Sequence, residues 1–340
     1  LDVIPNYDWN LVHLPDYFVR KGRGTQMNIY KKYIESAPLQ TTRGCPYQCT
    51  YCHNLMGRKL RRRSVGRVIE ELRLLKQQSG VREIDFVDDA FNLNIEYAKN
   101  FYREIIRANL NLNYSYPNGL RADRMDEELV DLMKKAGVNR VVYAVESGSP
   151  RIQKLVKKNL DLAKTKEMIA LTAKKGISVG SFYMMGFLDE TEEEMRTTID
   201  FAIKSQAHTA SFFLLNPYPN TEIYKQAVEA GYRLQDTKYG HYYSLCSNIS
   251  KVPTDTILRY RNYAYRRFFL NPIRMFRFFR TTPTGLFFFK MAIIALYMFF
   301  MKVEEDKRKP VGAESTEGIY KKSWIFKLIY KGTGLEKQEK

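Results

Sequence analysis

Leu39-Gln40-Thr41-Thr42-Arg43-Gly44-Cys45-Pro46-Tyr47-Gln48-Cys49-Thr50-Tyr51-Cys52 opens as a short strand-like run and passes at once into three cysteines at C-x3-C-x2-C spacing. Three thiolates delivered by one loop can wrap one face of a small metal centre. Zinc normally completes four ligands with a second close pair of Cys or His, and the chain's remaining cysteine, Cys246, has no partner pair. A [4Fe-4S] cluster has four irons to ligate, so one held by Cys45, Cys49 and Cys52 keeps an iron open for a substrate or cofactor. His53 follows directly and is read as a neighbour of the centre in preference to a ligand. A zinc site and three unrelated thiols are the alternatives.

Outward from this loop, short apolar runs alternate with longer amphipathic stretches. Strands are expected at 39–42, 83–87, 112–116, 140–145, 179–184 and 209–214, and helices at 65–78, 96–108, 127–136, 163–175 and 192–204, with Gly137 and Gly176 as helix stops. Strands separated by helices of this length form a parallel sheet with helical crossovers. Six such units predict an α/β fold, a partial (β/α)6 TIM-like barrel, with active residues at the C-terminal ends of the strands. The expected organisation is a connector over 1–38, the barrel over 39–216, a barrel-closing segment over 217–258 and a basic, aromatic-rich, mainly helical extension over 259–340. The chain opens on Leu1 without a basic-then-apolar leader, so no secretory signal is expected and something is expected to precede it.

Of the 340 residues, 44% are hydrophobic and 14% aromatic, enough for a sizeable core, and four cysteines exclude a disulfide-built scaffold. Lys and Arg number 55 against 37 Asp and Glu, a net charge of +18 that favours anionic partners.

Cys45, Cys49 and Cys52, with Tyr51 before the last of them, resemble the signature of the radical S-adenosylmethionine (radical SAM) enzymes, and the resemblance covers roughly 39–240. It implies a [4Fe-4S] cluster on these cysteines, whose open iron binds the methionyl amino and carboxylate groups of S-adenosylmethionine. Reductive cleavage then gives a 5′-deoxyadenosyl radical that abstracts a substrate hydrogen. Asp88-Asp89-Ala90-Phe91-Asn92, after the second strand, resembles the family element near the methionyl amino group, although Val87-Asp88-Asp89 replaces the common Gly-Gly-Glu. A helix cap is the plainer reading of the two aspartates. The resemblance also implies cofactor contacts from Tyr51 and from Glu146 and Ser147 in Glu146-Ser147-Gly148-Ser149, and Arg121, soon after the third strand, is read either as a partner for the methionyl carboxylate or as a surface arginine. Gly180, Met184 and Gly186 are expected in the adenine-contacting segment, where Leu188 and Asp189 replace the family's Pro-Gly pair. Ser149 before Pro150 reads equally as a helix N-cap.

Pro5-Asn6-Tyr7-Asp8-Trp9-Asn10-Leu11 with Tyr17 resembles the connector of the cobalamin-linked subgroup, which includes the anaerobic magnesium-protoporphyrin monomethyl ester cyclase-like proteins and methylases. None of the four histidines (13, 53, 208, 241) lies in an Asp-x-His-x-x-Gly setting, so any cobalamin is expected from a separate or missing domain. The outcome stays open between methylation, cyclisation and C–C bond formation.

The last ninety residues hold 19 Lys and Arg against 8 Asp and Glu, and seven arginines alternate with Tyr and Phe over 259–280 in what reads as a helix with cationic and aromatic faces. The apolar stretch 285–301, interrupted only by Lys290, falls short of a comfortable span and is expected to lie in a membrane interface, with a spanning helix and a buried helix that closes the barrel or meets a partner as the alternatives. The expected place is cytoplasmic and peripheral on an anionic membrane surface. The expected substrate is hydrophobic or lipid-like, and nucleic acid is not expected. Arg58–Arg63 is a second basic focus, for an acidic substrate or a flavodoxin- or ferredoxin-like electron donor; a solvated loop explains it as well. An RNA- or peptide-modifying radical SAM enzyme and a structural metal-binding subunit are the competing functions.

Overall fold

The computed structural model describes residues 1–18, 32–53, 55–234, 245 and 247–281. Cys246, His241 and the apolar run 285–301 lie outside the described residues. Six strands make one parallel sheet: β1 (Ser36–Leu39), β4 (Glu83–Phe86), β5 (Asn113–Leu120), β6 (Val138–Glu146), β7 (Ser178–Met185) and β8 (Thr209–Leu214). They lie side by side in chain order with β1 and β8 at the two edges, the open arrangement expected of a partial barrel. Between β1 and β4 a two-residue antiparallel ribbon pairs β2 (Thr42–Arg43) with β3 (Arg61–Arg62).

The helices follow from local signals. Asn94 accepts a hydrogen bond from Tyr97 N to start α2 (Ile95–Ala108), whose Ala98, Phe101, Tyr102 and Ile105 form a buried stripe at helical spacing. Asp126 caps α3 (Glu127–Ala136) through Leu129 N. That helix stops at Gly137, where φ is +102° and an added Cβ would come within 2.6 Å of Leu112 O. Thr191 and Glu194 form a reciprocal capping box on α6 (Glu192–Lys204). The helix α1 (Val65–Ser79) and α5 (Leu162–Lys174) complete the expected crossovers. Between the sheet and α2, Phe86 packs against Phe91, Phe101, Tyr114 and Tyr116 at centroid separations of 5.2–6.2 Å.

Three boundaries differ from expectation. The first strand runs over 36–39 and not 39–42, because Asp88 takes the amides of Thr41 and Thr42 out of the sheet. Pro38 is tolerated in it since β1 is an edge strand. One helix, α7 (Glu222–Glu229), lies in a stretch read as loop plus short elements and begins at a hydroxyl cap, Thr221, whereas α4 (Pro150–Leu155) begins at the Ser149 cap read from the sequence. The single helix expected over 259–280 is two, α8 (Thr254–Phe269) and α9 (Pro272–Thr281), separated at Asn271-Pro272. Proline there cannot continue α8, and Asn271 instead receives Arg274 N at 3.1 Å to open α9.

The N-terminal segment lies on α1, where the indole of Trp9 donates to the buried carboxylate of Glu71 at 2.9 Å and Arg63 pairs with the same group. Among the described residues no helix is long and apolar enough to cross a membrane.

Candidate active site

The cysteine loop sits at the C-terminal end of the sheet, fastened by carboxylates. Asp88, buried after β4, accepts from Thr41 N at 2.6 Å, from the Thr41 hydroxyl at 2.9 Å and from Thr42 N. Burial pushes its carboxyl up to about 6, while those donors pull it back. Asp89 accepts from Gly44 N at 2.8 Å. At Gly44 φ is +88°, and an added Cβ would come within 2.5 Å of Lys59 O and 2.9 Å of Gly57 O, so only glycine passes this turn. Cys45 N then donates to Gly57 O, Thr50 N to Val156 O beyond α4, and Ile223 N in α7 to Thr50 O. Neither aspartate caps a helix; Asn94 does that work.

Cys45 and Cys49 are half-buried and Cys52 is exposed. Burial raises the Cys45 thiol; burial, then the charges of Cys49 and Cys45, push Cys52 up to about 11. The charges of Cys49 and Cys45 act on Cys52 because the three groups share one small region, and a bound cation compensates thiolates gathered in this way. Among the described residues no three His, Cys, Asp or Glu side chains converge on a single-ion site, whereas cluster thiolates ligate separate irons. The donor set therefore suits a [4Fe-4S] cluster. His53 sets its ring edge-on to Tyr218 at 5.7 Å.

Around this loop lie several of the expected cofactor residues. The Tyr51 ring packs edge-on against Phe187 at 5.9 Å, in an apolar group that includes partly buried Met184. Glu146 ends β6 with φ of +68°, at an irregularity in the pairing with β7. Its carboxylate is paired with Lys158 Nζ at 3.1 Å, and the same ammonium reaches the Tyr51 hydroxyl at 3.4 Å. Arg121 lies over the Tyr47 ring at 4.1 Å, is paired with Asp123, and donates to Lys158 O at 2.9 Å.

Others stand apart. The Ser147 hydroxyl is 3.1 Å from that of Thr198 and accepts from Ser149 N, turned into the packing below α6. Gly180 is the third residue of β7, about 13 Å of strand before Met184. Gly186, with φ of +94°, and Phe187 donate their amides to buried Glu190 at 2.7 and 3.1 Å, and burial pushes that carboxyl up to about 8. Asp189 takes φ of +58° where the family pattern has glycine, so the turn keeps its left-handed backbone.

Sequence reading missed Lys158 and Gln153. Lys158 is held between Lys157 and Asn159, both at positive φ, and Gln153 fixes that bend by accepting Leu160 N and donating to Val145 O and Ser147 O. Nothing in Lys157-Lys158-Asn159 as a string marks a buried cation.

Residues 39–202 match the model of the radical SAM superfamily. The cytidylyl-2-hydroxyethylphosphonate methyltransferase of Streptomyces wedmorensis is 32% identical over 68% of this chain and 44% of its own length. The anaerobic magnesium-protoporphyrin IX monomethyl ester cyclase of Rubrivivax gelatinosus is 23% identical over 67% of this chain and 41% of its own. The solved radical S-adenosylmethionine methyltransferase TsrM of Kitasatospora setae, with cobalamin and a [4Fe-4S] cluster bound, superposes with a TM-score of 0.52 at 26% identity, over 57% of this chain and 39% of that one. This chain carries a radical SAM domain, and its homologues include a methyltransferase solved with cobalamin bound and magnesium-protoporphyrin cyclases. It spans less than half the length of these relatives.

Proposed function

We propose that the protein is a radical SAM enzyme that methylates, cyclises or forms a C–C bond on a hydrophobic small molecule. The observation that carries this is the C-x3-C-x2-C loop seated at the C-terminal end of a parallel sheet by Asp88 and Asp89. When bound, the cluster supplies the electron that cleaves S-adenosylmethionine reductively. The chain's own part is to hold Cys45, Cys49 and Cys52 together, to present Glu146 and Lys158 as a charge pair beside them, and to offer Tyr51 and Arg121 at the rim. The apolar group of Tyr51, Met184 and buried Phe187 beside the cysteine loop supports a hydrophobic substrate. A flavodoxin- or ferredoxin-like donor is the proposed electron source, with Arg58, Lys59 and Arg61 near the cysteine loop as its contact, and cobalamin is proposed to come from a separate domain.

Anaerobic reconstitution with iron and sulfide, then reduction with S-adenosylmethionine, tests the reading through 5′-deoxyadenosine formation. Production in the parent and none in Cys49→Ala is the expected result. Zinc in place of iron, or a fully loaded cluster that yields no deoxyadenosine, overturns it in favour of a structural metal subunit.

A further inference from the structure

We propose that the outer face of α9, with the end of α8, docks on an anionic lipid membrane while the cysteine loop faces the water. The inner face of α9 is anchored: Arg274 donates to Ile203 O at 2.7 Å and Ser205 O at 3.0 Å, and its guanidinium lies 3.6 Å from the centre of the Phe268 ring. Those carbonyls end α6, a helix that returns antiparallel to the strands. This places α9 at the N-terminal rim of the barrel, the end opposite Cys45–Cys52.

The outer face is apolar where a helix on water would be polar. Leu270, Ile273 and Phe276 are 60, 69 and 61% exposed on successive turns. Arg267 and Arg280 are exposed beside them. From Thr256 to Val303 the sequence contains nine Lys and Arg and no Asp or Glu. Exposed apolar side chains on a segment that carries arginines and no acid of its own match a surface that is anionic outside and apolar beneath. Aliphatic Leu270 and Ile273 have no flat face on which a nucleobase could stack. A second copy would set one cationic rim against another. The inference deepens the proposed function and rests on it only for the consequence that electron donor and separate domain approach from the aqueous side; the docking itself is independent of the chemistry.

The full chain is tested by co-sedimentation with phosphatidylcholine vesicles containing or lacking phosphatidylglycerol. Binding is expected only with phosphatidylglycerol. It should weaken at least about tenfold in Ile273→Ser/Phe276→Ser, which removes two large apolar groups, and about 25-fold in Arg267→Gln/Arg280→Gln, at about fivefold for each charge. Iron content and 5′-deoxyadenosine yield should match the parent in both, which separates a failure of docking from a failure of the radical chemistry. Absence of binding by the parent, or undiminished binding by both variants, overturns the proposal. So does a shift in oligomeric state with vesicle binding unchanged, which would assign the face to a second copy.

Discussion

The two ends of the barrel solve opposite electrostatic problems. At the C-terminal end, where helices begin and loops present their amides, carboxylates do the fastening: buried Asp88 on Thr41 and Thr42, buried Glu190 on Gly186 and Phe187, and more open Asp89 on Gly44. At the N-terminal end, where helices finish with free carbonyls, a buried donor takes over in Arg274 on Ile203 and Ser205, and Lys134 donates to Gly176 O at the surface. The orphan groups of helix termini have a fixed sign, amide at the start and carbonyl at the finish. A fold whose helices all run one way therefore sorts its buried charges. Thiols that must lose protons to bind metal lie among the amide-rich loops, which suit negative charge, while Arg274 braces the opposite rim.

Removing a fastening at each end should separate the two roles. Arg274→Ala leaves the carbonyls of Ile203 and Ser205 without their donor and deletes a packed side chain. It should cost about 3–5 kcal/mol in urea unfolding, as breaking a buried charged contact does, with iron loading per folded chain unchanged. Asp88→Ala strands two amides and a hydroxyl, and should cost about 2–3 kcal/mol. Unlike the arginine variant, it should also reduce reconstituted iron severalfold. Equal iron content in both would break the comparison.

His208 sharpens it by pH. Buried at the start of β8, with Arg277 and Arg274 nearby, it is held neutral, and burial first, then those charges, lowers its pKa to about 4. Its Nδ1 accepts from Val179 N at 3.0 Å. The unfolded chain binds this proton more readily than the folded one between pH 6.5 and 4. The stability it contributes is thus complete above pH 6.5 and is lost as pH falls through that window, by at most about 3 kcal/mol. Unfolding of His208→Gln should lack this pH-dependent portion, and an unchanged pH profile would remove the histidine from the account.

The smallest effect concerns the turn after β7. Asp189→Gly should change stability by less than about 1 kcal/mol, because relief of the left-handed backbone is offset by the greater freedom of an unfolded glycine. Asp189→Val should be destabilising by about 1–2 kcal/mol. Thermal unfolding of the pair measures the difference.

What was legible in the sequence was local. Five strand–helix crossovers, the cap at Ser149, the helix stops at Gly137 and Gly176, and the cysteine loop all depend on residues within a turn or two of each other. Hydrophobic period and capping chemistry act over that range. The first strand was misplaced by three residues because what ends it, Asp88, lies 47 positions from Thr41. The extension read as one helix was divided by a single Pro272 whose effect depended on Asn271 capping the next helix.

The sequence by itself determined that three thiols stand in one loop after the first strand of a parallel α/β sheet, since spacing and periodicity are properties of the string. Only the tertiary structure decided the work of each charge. Asp88 became a bolt under the loop, Glu146 the partner of Lys158, and Ser147 a packing hydroxyl. Asp, Glu and Lys look alike in a string, whichever role they take. A charged group is fixed in its role by the donors, acceptors and dielectric that surround it, and here those are brought together from across the chain only when the barrel forms.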